Sequence, residues 1–208
     1  MDRSRLELYL VTDRELSKGR DMEDIVTDAV HGGVTMVQLR EKHTDTRMFI
    51  DLALRLKASL KPFGVPLIIN DRVDVALAAD ADGVHIGQSD MPYEMARRIL
   101  GKEKIIGLSV ENFEQIEEAN LLDVDYIGVS PVFSTSTKTD TAAPFGIEGL
   151  RRAVQLSVHP AVAIGGMNRD TVREVIGTGV DGIAVVSAIV CAPSPLEASR
   201  ELIDMIRR

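Results

Sequence analysis

Cysteine is almost absent from this sequence: Cys191 stands alone among 208 residues. An intrachain disulfide and any cysteine-based metal site are thereby excluded, and Cys191 reads as a small apolar residue near the end of a strand. Positive charge is also short. Lys and Arg number 24 against 32 Asp and Glu, a formal net charge of −8, and no basic tract breaks the pattern. That balance argues against nucleic acid or an anionic membrane as partner, while local clusters remain able to bind small anions. No apolar run approaches the ~20 residues that span a bilayer. The start, Met1-Asp2-Arg3-Ser4-Arg5-Leu6-Glu7, is too polar for a secretory signal, so a cytoplasmic location is expected. No low-complexity stretch or linker interrupts the chain, which predicts one domain over residues 1–208. With 45% hydrophobic residues it has the means to build a core. A homo-oligomer is compatible with this composition.

What is present is an alternation. Short runs rich in Val and Ile predict strands at residues 8–11, 36–39, 66–69, 83–86, 105–108, 126–129, 161–164 and 182–186. Segments of helical period follow each of them, at 21–32, 46–60, 73–79, 93–100, 113–120, 147–156, 169–177 and 195–206. Continuous apolar strands are buried on both faces, as in parallel sheets. Eight strand–helix units with right-handed crossovers favour closure into a single (β/α)8 TIM barrel. A weak repeat supports this: Ala81-Asp82-Gly83-Val84, Val124-Asp125-Tyr126-Ile127 and Val180-Asp181-Gly182-Ile183, with Gly33-Val34-Thr35-Met36-Val37 as a degenerate fourth copy. Each copy lies where a helix turns into a strand, and the aspartates read as turn chemistry at the bottom of the barrel.

In such a barrel the chemistry sits beyond the C-terminal strand ends, and polar residues crowd there. Gln38, Arg40 and Lys42 recur with period two, so an extended strand aims all three inward. An arginine fork beside a lysine suits phosphate oxygens; pairing of Arg40 and Lys42 with Glu41 and Asp45 is the plainer alternative. Asp71 and Asp90 end neighbouring strands. They suit a hard ion such as Mg2+, or Asp71 pairs with Arg72 or Arg40 and Asp90 caps the helix whose start Asp90-Met91-Pro92 resembles; spacing alone leaves both readings. His85 points inward and reads as a satisfied core histidine. Gly165-Gly166 and Val186-Ser187 follow the seventh and eighth strands, the recurrent phosphate site of these barrels. The Ser/Thr-rich loop at 133–144 has the length of a lid.

Together, Leu10-Val11-Thr12-Asp13, Val37-Gln38-Leu39-Arg40-Glu41-Lys42, Ile69-Asn70-Asp71-Arg72, the run from Asp82 to Asp90, and Thr135-Ser136-Thr137-Lys138 resemble the thiamine-phosphate synthase family. The resemblance covers nearly the whole chain in order. It implies a (β/α)8 barrel and a transferase. The reaction joins hydroxymethylpyrimidine pyrophosphate to thiazole phosphate, giving thiamine phosphate and pyrophosphate by a dissociative substitution. It implies that Gln38, Leu39, Arg40, Glu41, Lys42, Asn70, Ser109 and Lys138 bind the pyrimidine pyrophosphate. Of these, Arg40, Lys42, Ser109 and Lys138 would be catalytic. Thr135, Ser136, Thr137, Gly166, Val186 and Ser187 would hold the thiazole phosphate, and Asp71 and Asp90 would hold Mg2+. Small molecules would be the partners. The chain departs from the family pattern at Ser130, where glycine is usual, and at Ser134, where proline is often found. A related subgroup, the thiazole tautomerases, often has histidine where this chain has Pro131, which ranks that activity second. A barrel that binds thiazole or thiamine phosphate without turnover is a third reading.

Overall fold

In a computed structural model that describes residues 1–134 and 143–208, eight parallel strands close into a barrel in sequence order. The strands are β1 (Leu8–Val11), β2 (Met36–Leu39), β3 (Leu67–Asn70), β4 (Gly83–Ile86), β5 (Ile105–Val110), β6 (Tyr126–Val129), β7 (Ala161–Ile164) and β8 (Gly182–Val185). β8 returns to pair with β1, Tyr9 lying opposite Ala184, which closes the ring. The helices are α1 (Met22–His31), α2 (Thr46–Leu60), α3 (Val73–Ala78), α4 (Tyr93–Leu100), α5 (Phe113–Ala119), α6 (Gly146–Leu156), α7 (Val172–Ile176), α8 (Ser187–Val190) and α9 (Pro195–Ile206). The fold is the (β/α)8 barrel expected from the alternation. The chief addition is α8, one turn directly after β8, too short to leave a period in the sequence. Cys191, read as a small apolar residue near the end of a strand, is exposed just past α8, which follows β8. Among the described residues, no helix is long and apolar enough to cross a membrane.

Strand alternation divides the core into two shells. Leu8, Leu10, Val37, Leu39, Ile69, Val84, Ile127 and Val185 face outward into a layer shared with the helices. Tyr9, Val11, Met36, Ile68, Ile105, Tyr126, Val162 and Ala184 fill the inside. Period-two chemistry thus decides which residues can reach the barrel mouth.

The repeated aspartates brace the lower rim. Asp82, Asp125 and Asp181 each stand just before an even-numbered strand and accept a backbone N–H from the preceding strand: Leu67, Ile106 and Ala161 respectively, each at 2.8 Å. Thr35, in the degenerate copy, accepts from Leu8 N at 3.0 Å. The repeat is therefore a capping device, in line with its reading as turn chemistry.

Among the described residues, Ser199 on α9 holds a buried side-chain oxygen without a hydrogen-bond partner. An unsatisfied buried hydroxyl costs about 1–3 kcal/mol, and Ser199→Ala removes it. That variant should be more stable than the parent by about 1 kcal/mol in urea unfolding; a loss of stability would show that the hydroxyl is satisfied.

Candidate active site

A cavity of about 650 Å³ opens at the C-terminal ends of the strands. Gln38, Arg40 and Lys42 all line it, as their period-two spacing predicts, together with Asn70, Asp71, Asp90 and Ser109. Gly166, Val186 and Ser187 line it from the β7–β8 end. Leu39 and Glu41 do not. Leu39 has the outward phase and is buried against the helix layer. Glu41 is buried and receives a two-pronged arginine contact, Arg14 Nε and Nη2 at 2.8 and 2.9 Å, so it braces the loop that carries Arg40 and Lys42. Thr135, Ser136, Thr137 and Lys138 lie outside the described residues, as does most of the loop read as a lid.

One end of the cavity is strongly charged. Arg40 Nη1 donates to Asp13 Oδ2 at 2.9 Å, and Lys42 Nζ to Asp71 Oδ2 at 2.6 Å. The partners are thus not Glu41 and Asp45. Asp71 has φ +62°, the left-handed region in which aspartate is among the better-tolerated side chains. Its N–H is held by the His85 carbonyl at 2.8 Å. Asp90 does not cap α4, whose N-terminus is Pro92 without a side-chain cap. Its carboxylate instead accepts from Gly87 N at 2.7 Å. Burial pushes the Asp90 carboxyl above the usual range; the Gly87 N–H opposes this, and neighbouring Asp71 raises it further. A carboxylate whose ionisation a second carboxylate opposes is a fit for a divalent cation. Among the described residues no group of three or more His, Cys, Asp or Glu gathers. A pair alone suits Mg2+, which keeps waters and takes phosphate oxygens rather than a full protein cage.

The other end is built from backbone. Gly165 and Gly166 have φ +102° and +73°, and a Cβ on Gly166 would lie 2.8 Å from the Phe133 Cβ. Only glycine fits this turn. Ser187 opens α8 with no side-chain cap, so its first amides are available to an anion in the cavity.

The floor holds two residues without a sequence-based role, Tyr9 and Tyr126, beside His85. His85 bonds Tyr126 Oη through Nδ1 at 2.9 Å and Ser109 Oγ through Nε2 at 2.8 Å. It is a satisfied histidine, as expected, but one that faces the site. The signal was available: Tyr9 and Tyr126 share the inward phase of Val11 and Gly128. Gly107 makes the arrangement possible, since a Cβ there would lie 2.1 Å from the Tyr126 ring and 2.6 Å from His85 Nδ1. Asp13, at the end of the Leu10-Val11-Thr12-Asp13 run, fixes Arg40.

Burial pulls the His85 imidazole down to about 4 from its ordinary 6.5, with Asp71 opposing. The unfolded chain therefore binds the extra proton between those values, and stability rises with pH across that window. Acidification from pH 6.5 to 4 should cost about 3 kcal/mol through this residue. His85→Gln should flatten that part of the stability–pH curve; an unchanged slope would mean that His85 does not resist protonation.

A closed parallel barrel with a cationic, carboxylate-edged pocket at one side of its mouth and a glycine-rich turn beside a short helix at the other defines a phosphate-handling barrel enzyme. A family model described as thiamine monophosphate synthase matches residues 8–189. A thiamine-phosphate synthase of Albidiferax ferrireducens is 54% identical over 204 residues, covering 97% of this chain and 93% of its own. One from Vibrio campbellii is 54% identical over 200 residues, covering 96% and 98%. A solved thiamine phosphate pyrophosphorylase from Pyrococcus furiosus superposes with a TM-score of 0.91 at 41% identity, covering 99% of this chain and 97% of that one. The chain belongs to the thiamine monophosphate synthase family.

Proposed function

We propose that the protein is a thiamine-phosphate synthase, a transferase that joins hydroxymethylpyrimidine pyrophosphate to thiazole phosphate and releases pyrophosphate. The observation that carries this reading is one cavity with two chemically different ends, one lined by Arg40, Lys42, Asp71 and Asp90 and the other by Gly165, Gly166 and Ser187; each would take one phosphorylated substrate. Family membership supports it independently.

Arg40 and Lys42 would grip the leaving pyrophosphate, with Asp71 and Asp90 holding Mg2+ beside it. Gln38, Asn70 and Ser109 would place the pyrimidine. Gly166, Val186 and Ser187 would take the thiazole phosphate. The family resemblance adds Thr135, Ser136 and Thr137 to that phosphate and Lys138 to the pyrophosphate. Leu39 and Glu41 would serve through the strand and loop they hold in place. When bound, magnesium supplies charge neutralisation on the leaving group. The C–O bond to pyrophosphate breaks with its electron pair leaving on oxygen, and the aminopyrimidine stabilises the carbocation left on its methylene. The thiazole nitrogen then donates its lone pair to that carbon. No general base is required, and both ring nitrogens of His85 are already engaged. Arg40, Lys42 and Lys138 stabilise developing charge, and the two anion sites hold nucleophile and electrophile in line.

Pyrophosphate should appear only when both substrates and Mg2+ are present, and excess chelator should abolish its release. Isomerisation of the thiazole without pyrophosphate release would establish the tautomerase instead. Binding of both phosphates without turnover would establish a non-catalytic carrier.

A further inference from the structure

Five side chains from five strands stand in single file across the floor of the cavity. Gln38 Nε2 donates to Tyr9 Oη at 2.8 Å, Tyr9 Oη meets Tyr126 Oη at 2.8 Å, and Tyr126 Oη meets His85 Nδ1 at 2.9 Å. His85 Nε2 meets Ser109 Oγ at 2.8 Å. Both phenols are fully buried, so no water replaces a missing partner. Each phenol has one proton to give, and the direction of each bond follows from the one before. Tyr9 receives from Gln38 and must give to Tyr126. Tyr126 receives and must give to His85 Nδ1. The imidazole then carries its proton on Nε2 and gives it to Ser109. A reversal at one link sets two donors against each other and leaves a buried group unpaired, at a cost of about 1–3 kcal/mol. The chain therefore shares one direction from end to end, set by the Gln38 amide that faces Tyr9, and its bonds polarise one another.

We propose that this chain is a polarised relay that selects the pyrimidine ring, with Tyr9, Tyr126 and His85 as positioning residues. The inference rests on the reading that Gln38 and Ser109 face the pyrimidine. The two ends of the relay line the cavity from β2 and β5. Its direction leaves Gln38 Oε1 as an acceptor and the Ser109 hydroxyl as a donor. An aminopyrimidine offers the complement, an amino N–H to give and a ring nitrogen to receive. A ring with an oxo group in place of the amino group inverts that pattern. It meets two mismatched ends, and correcting one end requires turning over all five groups. A site built to pair polar groups rejects an inverted analogue strongly because buried partners are left unpaired. Cutting the relay in the middle lets each end reorient alone, which keeps the contacts but removes the selection.

Two measurements test this. The first uses the unmodified protein: ¹⁵N NMR of the histidine side chains, with His85 assigned by its loss in His85→Gln. The proton should reside on Nε2 with Nδ1 unprotonated; a proton on Nδ1 would overturn the relay. The second compares the aminopyrimidine pyrophosphate with its oxo analogue by kcat/KM. Tyr126→Phe should reduce the preference for the amino ring by about tenfold or more, while inhibition by inorganic pyrophosphate changes less than about twofold. Tyr9→Phe, which uncouples the same two ends one link nearer Gln38, should give the same split and carries the test if Tyr126→Phe does not fold. Parallel changes in all three quantities, or an unchanged preference, would reduce these residues to packing. A parent protein that makes no pyrophosphate from either ring would refute the functional reading, and the His85 tautomer would still decide whether the relay is polarised.

Discussion

Asp71→Asn should lower kcat/KM by about 10²- to 10³-fold, the scale of removing one charge-stabilising element from a transition state. The fold should survive, because asparagine tolerates the left-handed backbone that Asp71 adopts at φ +62°. The Asp71 N–H to the His85 carbonyl is untouched by the change. What is lost is the negative charge that faces Lys42 Nζ at 2.6 Å and raises the Asp90 carboxyl. Without it Asp90 loses the like-charged neighbour that opposes its ionisation, and one carboxylate is left at the proposed Mg2+ site instead of two. The parent enzyme in excess chelator should fall to a rate near that of the variant, and the variant should respond little to chelator. Full activity of Asp71→Asn in excess chelator would remove the metal from this pair.

Gly166→Val should raise the KM for thiazole phosphate by about ten- to a hundredfold and that for the pyrimidine substrate much less. The range corresponds to losing one or two charge-assisted hydrogen bonds. The reason is local. Gly166 has φ +73°, and a Cβ would sit 2.8 Å from the Phe133 Cβ. A β-branched residue must shift the turn, and with it the amides proposed to face the phosphate. The same strain should lower the melting temperature, so the split between the two KM values is the diagnostic quantity. Equal rises in both would mean that the two anion ends are assigned to the wrong substrates.

The barrel was legible because parallel strands buried on both faces leave unmistakable apolar runs, and because the repeat carrying Thr35, Asp82, Asp125 and Asp181 marks every second strand. Strands differ from expectation only at their ends: β3 begins at Leu67 and runs through Asn70, β5 extends to Val110 and β8 stops at Val185. α8 left no trace, since four residues carry no periodicity. The inward spacing of Gln38, Arg40 and Lys42 was readable for the same reason that Leu39 was misplaced. A motif quoted as a continuous run carries outward-facing members with it, and alternation alone separates them. Glu41 is the subtler case: a buried carboxylate whose partner, Arg14, comes from another loop and has no local sequence signal. The relay on the floor was hidden because its members come from five strands. Nothing along the chain announces that Tyr9 and Tyr126 meet at 2.8 Å.

The two proposed anion sites lie at opposite ends of one cavity and use different chemistry. A crystal structure with thiamine phosphate, inorganic pyrophosphate and Mg2+ tests this arrangement most directly. The phosphate of thiamine phosphate should lie against Gly166 and Ser187. Pyrophosphate should lie against Arg40 and Lys42, with the metal between it and Asp71 and Asp90. Both anions at one end, or the metal away from these two carboxylates, would contradict the account.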